Sequence, residues 1–474
     1  MNFEAIIGLE IHVEMKTKSK MFSSAPVSFG DKPNTNVAPI DMAFPGALPR
    51  VNKQAVIHAI RLCHALNMSI DDELLFDRKN YFYSDLAKGY QITQYRRPIG
   101  KGGYIEIETP SGFKRIGIER LHIEEDTCKQ VHLNNYTYLD YNRSGIPVVE
   151  IVSQPDIRSG EEARLFVEKI RSIASFLGVS DGKMEEGSLR VDVNISIRPI
   201  GSNKLGKKVE IKNINTLNNI KRGINFEIKR QQMVLLSGQS IKQDTRRYDE
   251  TLRQTLPMRE KTDAIDYKYF IDPNLPPIKL SKEFIDDAIR TSPELAETKY
   301  VRYKSLGLSD YDSGLLVEDK ATSNYFDEMI KSGVNPKLCA NWLIVDIRTI
   351  LKANNIDIKE FDVPPSDVAE LINLIEEGTI SNTQARDVLG YMYKDHKTPS
   401  QVICELDIGL IHDRDVLLGY IDKVLEENQQ AIQDYKNGKN RVVGLLVKQV
   451  IELSFGKANP KITSDLIIER LKER

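Results

Sequence analysis

Four short runs in this chain place a carboxylate on the polar side of an alternating pattern. In Gly8-Leu-Glu-Ile-His-Val-Glu-Met15, Glu10, His12 and Glu14 share one face. Val148-Val-Glu-Ile-Val152 offers Glu150, Leu189–Arg198 offers Asp192 beside Arg190, and Val209-Glu-Ile-Lys212 offers Glu210. Glu124-Glu-Asp126 adds a compact acidic group. Successive side chains of a strand point to opposite faces, so Glu10 and His12 stand roughly 6–7 Å apart on one side. If these strands neighbour one another, hard oxygen ligands and a single imidazole converge, a donor set that suits Mg²⁺ or Mn²⁺ better than a structural zinc. Taken singly, each acid is better read as a solvated residue; it is their joint pattern that points to a cation.

The elements that must position these residues are legible in outline. Ser159 caps and Gly178 ends an amphipathic helix from Gly160, and a second helix is predicted over about 216–236. The first part of the chain is strand-rich, and the run Asp272-Pro-Asn-Leu-Pro-Pro277 breaks it. Beyond that the texture is helical. The expected fold class is α+β: a β-rich, cradle-like catalytic domain with an antiparallel sheet over 1–292, a helical domain over 293–406 and a small helical tail over 407–474. Gly100-Lys-Gly-Gly103 lacks phosphate-loop spacing and is read as a hairpin turn.

Composition bounds the function. The 474 residues are 41% hydrophobic and 28% charged, with a net charge of −2, which suits a soluble multidomain protein and argues against wholesale coating of nucleic acid. No apolar run is long enough to span a bilayer, and Met1-Asn-Phe-Glu-Ala has no signal-peptide character. The four cysteines (Cys63, Cys128, Cys339, Cys404) have no CxxC spacing, so a reduced, cytoplasmic setting is expected. His58, His64, His122, His132, His396 and His412 are assigned no role. Aromatic and basic residues mix over Phe76–Tyr95, Thr245–Glu250 and Asp266–Phe270, a texture that suits nucleotide or single-stranded RNA stacking and equally a tyrosine-edged core. From Lys436 to Arg474 nine Lys or Arg face four acids, an electrostatic footprint for a polyanion or a solvated basic helix end.

IGLEIHVEMKTKSKMF, FPGALP, FDRKNYFYSDLAKGYQITQY, MEEGSLRVDVNISIR, VEIKNINTLNNI, TRRYDE and DYKYFIDPNLPP follow one another in this chain. In that order they resemble the B subunits of the tRNA-dependent amidotransferases, over essentially the whole length. The resemblance implies a subunit that uses ATP and Mg²⁺ to phosphorylate the side-chain carboxylate of glutamate or aspartate misacylated on tRNA(Gln) or tRNA(Asn). It also implies a glutaminase A subunit that supplies ammonia and a small C subunit that fastens the two. On this resemblance His12, Glu125 and Glu150 hold one metal, with Glu10, Glu124, Asp192 and Glu210 nearby for a second or for ATP-linked Mg²⁺. Glu125 and Asp192 are expected at the catalytic centre. Arg190, Lys79, Arg246 and Arg247 are expected to contact phosphate or carboxylate, and Glu186 and Ser188 to line the ATP side. Lys436, Lys439, Arg441, Lys448, Lys457 and Lys461 are expected to grip the tRNA body. The family's frequent zinc-knuckle cysteines are absent, since Phe22-Ser-Ser24 and Pro39–Gly46 stand in their places, so no zinc is expected. Ala87, Cys128 and Lys448 are further departures. A metal-dependent RNA phosphotransferase or nuclease and a non-catalytic tRNA-binding scaffold are the rival readings.

Overall fold

The computed structural model describes residues 2–260, 266–411, 413–436, 439–454 and 456–473. His412 and Arg474 thus lie outside the described residues, as do the side chains of 259 and 260. The chain forms two compact units, Met1–Leu295 and Ala296–Arg474.

The first unit is built on a nine-stranded sheet. Its strands in chain order are β1 (Phe3–Glu14), β2 (Ser69–Ile70), β3 (Gly100–Thr109), β4 (Gly112–Glu125), β5 (Pro147–Ser153), β6 (Leu189–Pro199), β7 (Val209–Ile214), β8 (Asp244–Asp249) and β9 (Gln254–Glu260). Across the sheet they run β9-β8-β7-β6-β1-β5-β4-β3-β2. Every pair is antiparallel except β7 with β8. The mixed α+β class follows. One face is apolar: Ile7, Leu9, Ile11 and Val13 of β1 and Leu189, Val191, Val193 and Ile195 of β6 are buried in one continuous core. Three helices supply the other half of that core: α1 (Lys53–Ala65), α2 (Gly160–Phe176) and α3 (Leu217–Leu236). Ser159 accepts the Glu162 N–H and Thr216 accepts the Asn219 N–H at the starts of α2 and α3, and Gly178 takes a left-handed φ of +71° just past α2.

Gly100–Gly103 is not a hairpin turn. It opens β3, and the ladder with β4 is irregular there, with Gly102 at φ +53°. The glycines are needed for close approach: a Cβ on Gly103 would come 2.6 Å from the Leu66 carbonyl oxygen, and one on Gly100 2.6 Å from Cys63 Sγ. The end of α1 therefore presses directly onto the strand.

The second unit is helical and contains two separate apolar clusters. One joins Tyr303, Phe326, Trp342, Leu371 and Leu389 with their neighbours, and the other joins Leu417, Ile421, Leu446, Val450 and Ile467. No helix among the described residues is long and apolar enough to cross a membrane.

Candidate active site

The polar face of the sheet gathers the acids by register. His122 on β4 lies opposite Glu150 on β5, Glu150 opposite His12 on β1, and His12 opposite Arg190 on β6. One row of side chains therefore crosses four strands. Two residues along, Glu10 pairs with Asp192 in the next row, and Asn194 pairs with Glu210 on β7. Directly opposed residues bring their Cβ atoms within about 5 Å, so two charged rows lie side by side.

Two ligand groups result. His12, Glu124 and Glu150 each offer an atom within 4.8 Å of the others, and so do Glu10, Asp192 and Glu210. His12 Nε2 is 3.5 Å from Glu124 Oε1 and 3.5 Å from Glu150 Oε2. His122 Nε2 is 3.2 Å from Glu150 Oε2 and 3.6 Å from Glu124 Oε2. Burial alone would lower the pKa of both imidazoles, yet the two carboxylates raise them, that of His122 to about 9. Burial likewise works against ionised Glu150, and its two histidines override this and hold it well below the usual carboxylate range. Negative charge is concentrated enough here to draw cationic partners inward, and one imidazole with two carboxylates fits a divalent cation of the Mg²⁺ or Mn²⁺ type.

The second group is already partly neutralised. Lys212 Nζ donates to Asp192 Oδ2 (2.6 Å) and lies 3.4 Å from Glu210 Oε1. Thr245 Oγ1 donates to Glu210 Oε2 (2.8 Å), and Asn194 Nδ2 to Glu10 Oε1 (2.8 Å). Burial disfavours the Lys212 charge, but Asp192 and Glu210 raise its pKa above the usual value. Beside both groups lies a cavity of about 380 Å³, lined among others by His12, Glu124, Asp192, Lys79, Arg190 and Lys212. Lys79 Nζ sits 5.1 Å from the Tyr267 ring and 5.7 Å from that of Tyr81. Deeper in the wall, burial and the adjacent Asp126 push the Glu14 carboxyl up to about 8.

Several expected site residues are placed elsewhere. Glu125 does not join His12 and Glu150: it follows Glu124 on the strand and its carboxylate takes the other side. There it accepts Lys88 Nζ (2.5 and 2.6 Å) and the Ile92 N–H (3.0 Å), and Glu124 stands in its predicted place. Arg246 is also turned away, donating to Asp244 Oδ2 (3.0 Å), Thr255 Oγ1 (3.0 Å) and the Thr255 carbonyl (2.8 Å). Arg247 shares the alternation of Thr245, sits beside Lys212 in the ladder and pairs with Asp249 at 3.1 Å. Ser188 ties its own turn together through Asp181 and the Lys183 backbone, and Glu186 pairs with Lys183 at 2.6 Å. Glu186 lines a separate cavity of about 250 Å³ with Glu14 and Arg143, so neither residue reaches the acidic pocket.

Three residues of the pocket or its surroundings carried no predicted role of their own, His122, Lys88 and Lys212, while Asp126 figured only within the Glu124–Asp126 acidic group. His122 and Lys212 had a signal, since His122-x-Glu124-x-Asp126 and Glu210-x-Lys212 are same-face spacings. In the second unit Lys436, Lys439, Arg441, Lys448 and Lys461 are exposed. Lys439 pairs with Asp434 and Lys448 with Glu452, while Lys457 is half-buried and donates to Asp407 at 2.8 Å.

Acids in two clusters, with lysine and arginine beside one cavity, form a donor set suited to a cation together with an anionic group. Comparison with known proteins makes this specific. Residues 5–286 match the GatB/GatE catalytic domain, and residues 324–471 match a GatB domain. The chain is 46% identical to the B subunit of the aspartyl/glutamyl-tRNA(Asn/Gln) amidotransferase of Mesoplasma florum, over 100% of this chain and 99% of that protein. It is 45% identical to the proteins of the same name from Lysinibacillus sphaericus and Staphylococcus aureus, with 100% of both chains covered in each case. The chain belongs to the GatB/GatE family.

Proposed function

We propose that this chain is the activating subunit of an ATP-dependent tRNA amidotransferase, acting on glutamyl-tRNA(Gln), aspartyl-tRNA(Asn) or both in the cytoplasm. A carboxylate is a poor acyl donor, because its oxygen is a poor leaving group. Attack of the side-chain carboxylate on the γ-phosphorus of ATP forms an acyl phosphate and releases ADP. Ammonia from a glutaminase A subunit then adds at the acyl carbon, and phosphate departs as the amide forms. A small C subunit completes the complex.

The reading rests on one observation above others: members of both acidic groups, His12 and Glu124 of one and Asp192 of the other, line one cavity with three cations, Lys79, Arg190 and Lys212. His12, Glu124 and Glu150 would hold one Mg²⁺, and Glu10, Asp192 and Glu210 a second or the ion that arrives with ATP. Such ions would neutralise phosphoryl oxygens and polarise the phosphorus toward attack. The lysines and arginine orient anionic groups against the acids, and the sheet keeps them in register. Residues 407–474, with their exposed lysines, would hold the tRNA body away from the acceptor end.

Reconstitution with the A and C subunits on both misacylated tRNAs tests the proposal. Glutamine- and ATP-dependent formation of Gln-tRNA(Gln) or Asn-tRNA(Asn) is expected. ATP-independent RNA cleavage, or tRNA binding without amide formation, would contradict it.

A further inference from the structure

Asp126 lies two residues beyond Glu124, so it continues the same alternation past the end of β4, and it is only 6% exposed. Its backbone is pinned on both sides: its N–H donates to the Ile146 carbonyl (2.9 Å) and its own carbonyl accepts the Gly145 N–H (2.9 Å). Its side chain is committed as well. Oδ1 accepts the Thr127 N–H at 2.9 Å, while Oδ2 accepts both Arg143 Nε and Arg190 Nη2, each at 2.8 Å. One buried carboxylate oxygen therefore carries two guanidinium groups, which are charge-assisted and directional contacts.

Arg190 lines the acidic cavity together with Asp126 and Thr127, and it stands opposite His12 in the strand register. Its hold is one-sided. Asp126 occupies Nη2, whereas Nε is buried and meets no acceptor among the described residues. An unpaired buried N–H is costly unless something accepts it. A guanidinium anchored at one nitrogen and still owed an acceptor at another is preorganised for an oxyanion.

We infer that Asp126 is a positioning residue that holds Arg190 so that its remaining N–H edge meets an anionic oxygen of the reacting group. That oxygen belongs to the transferring phosphoryl or to the carboxylate that receives it. The inference rests on the activation chemistry proposed above, and it assigns Asp126 a task exercised through Arg190.

The test uses the complete complex with its A and C partners, comparing Asp126→Asn, Arg190→Lys and the double variant. If the wild-type complex forms no amide, the functional reading fails before Asp126 is tested. With wild type active, each single change is expected to lower kcat about 10–100-fold, the range typical of residues that orient a working group. The double variant is expected to be no slower than the slower single variant, because both changes remove the same contact. A rise in KM confined to ATP assigns the oxyanion to the phosphoryl group, and one confined to the aminoacyl-tRNA assigns it to the carboxylate. Unchanged kcat in folded Asp126→Asn, or losses that multiply in the double variant, would overturn the inference. Should Asp126→Asn not fold, Arg190→Ala with added guanidinium decides. Saturable recovery is expected, because the Asp126 carboxylate remains to seat the free cation, and no recovery would overturn the inference.

Discussion

Two charged clusters in the first unit are built from similar residues and behave in opposite ways. Lys20 and Asp41 are 0% and 4% exposed, and neither is among the buried polar groups left without a partner. Lys20 Nζ donates to Asp41 Oδ2 (3.1 Å) and to the Tyr141 carbonyl (2.9 Å), while the same Asp41 oxygen accepts Ser23 Oγ (3.2 Å) and the Ala38 N–H (2.9 Å). The result is a polar staple that ties the connection between β1 and α1 to the loop that holds Tyr141. The acidic rows around His12 do the reverse. They stack carboxylate against carboxylate, draw imidazole pKa values upward and leave His122 Nδ1 buried without a partner among the described residues. Satisfied burial marks a structural ion pair, and crowded, partly unmet charge beside a cavity marks a working one.

Breaking the staple is expected to have the largest effect on stability. Asp41→Ala leaves the buried Lys20 ammonium without its carboxylate, and a loss of about 3–5 kcal/mol is expected in urea unfolding. The opposite signature is expected of Glu124→Gln in the working cluster. Amide formation should fall by at least about 100-fold, the upper end of what even outer-shell partners of a metal contribute, while the unfolding midpoint moves less than in Asp41→Ala. Arg246→Ala sharpens the boundary between the two kinds of site. Because Arg246 braces Asp244 and Thr255 beside the fully buried Glu227, about 1–3 kcal/mol of stability should be lost with the KM for ATP unchanged. The smallest effect is expected at Lys448, whose pairing with Glu452 at 3.7 Å is exposed. Lys448→Ala should change stability by less than about 0.5 kcal/mol. The same change should lower the slope of log affinity for tRNA against log salt by about one contact.

Much of this arrangement was legible in the sequence, because a strand with one wet face advertises itself. The polar faces of β1, β5, β6 and β7 were visible, as were the Ser159 cap of α2 and the span of α3. Phase was harder to read. Glu124 and Glu125 are adjacent, so which one faces the pocket depends on where the alternation of β4 is anchored. Treating His122 as inert discarded that anchor, since His122 and Glu124 share a face. The same ambiguity separated Arg246 from Arg247, with Thr245 as the unread marker. Register between strands is set by long-range pairing, so the row His122–Glu150–His12–Arg190 has no local signature. Gly100–Gly103 was misread for a related reason: its glycines answer to α1, a distant neighbour pressed against the strand.

The central claim, that the rows around His12 form a cation site and not a solvated polar face, is tested most directly by titrating the purified chain with Mn²⁺ and following free ion by electron paramagnetic resonance. Saturable binding is expected, weakened at least about tenfold by His12→Gln or Glu150→Gln in variants that unfold at the wild-type midpoint. Equal Mn²⁺ affinity in wild type and both variants would contradict the account.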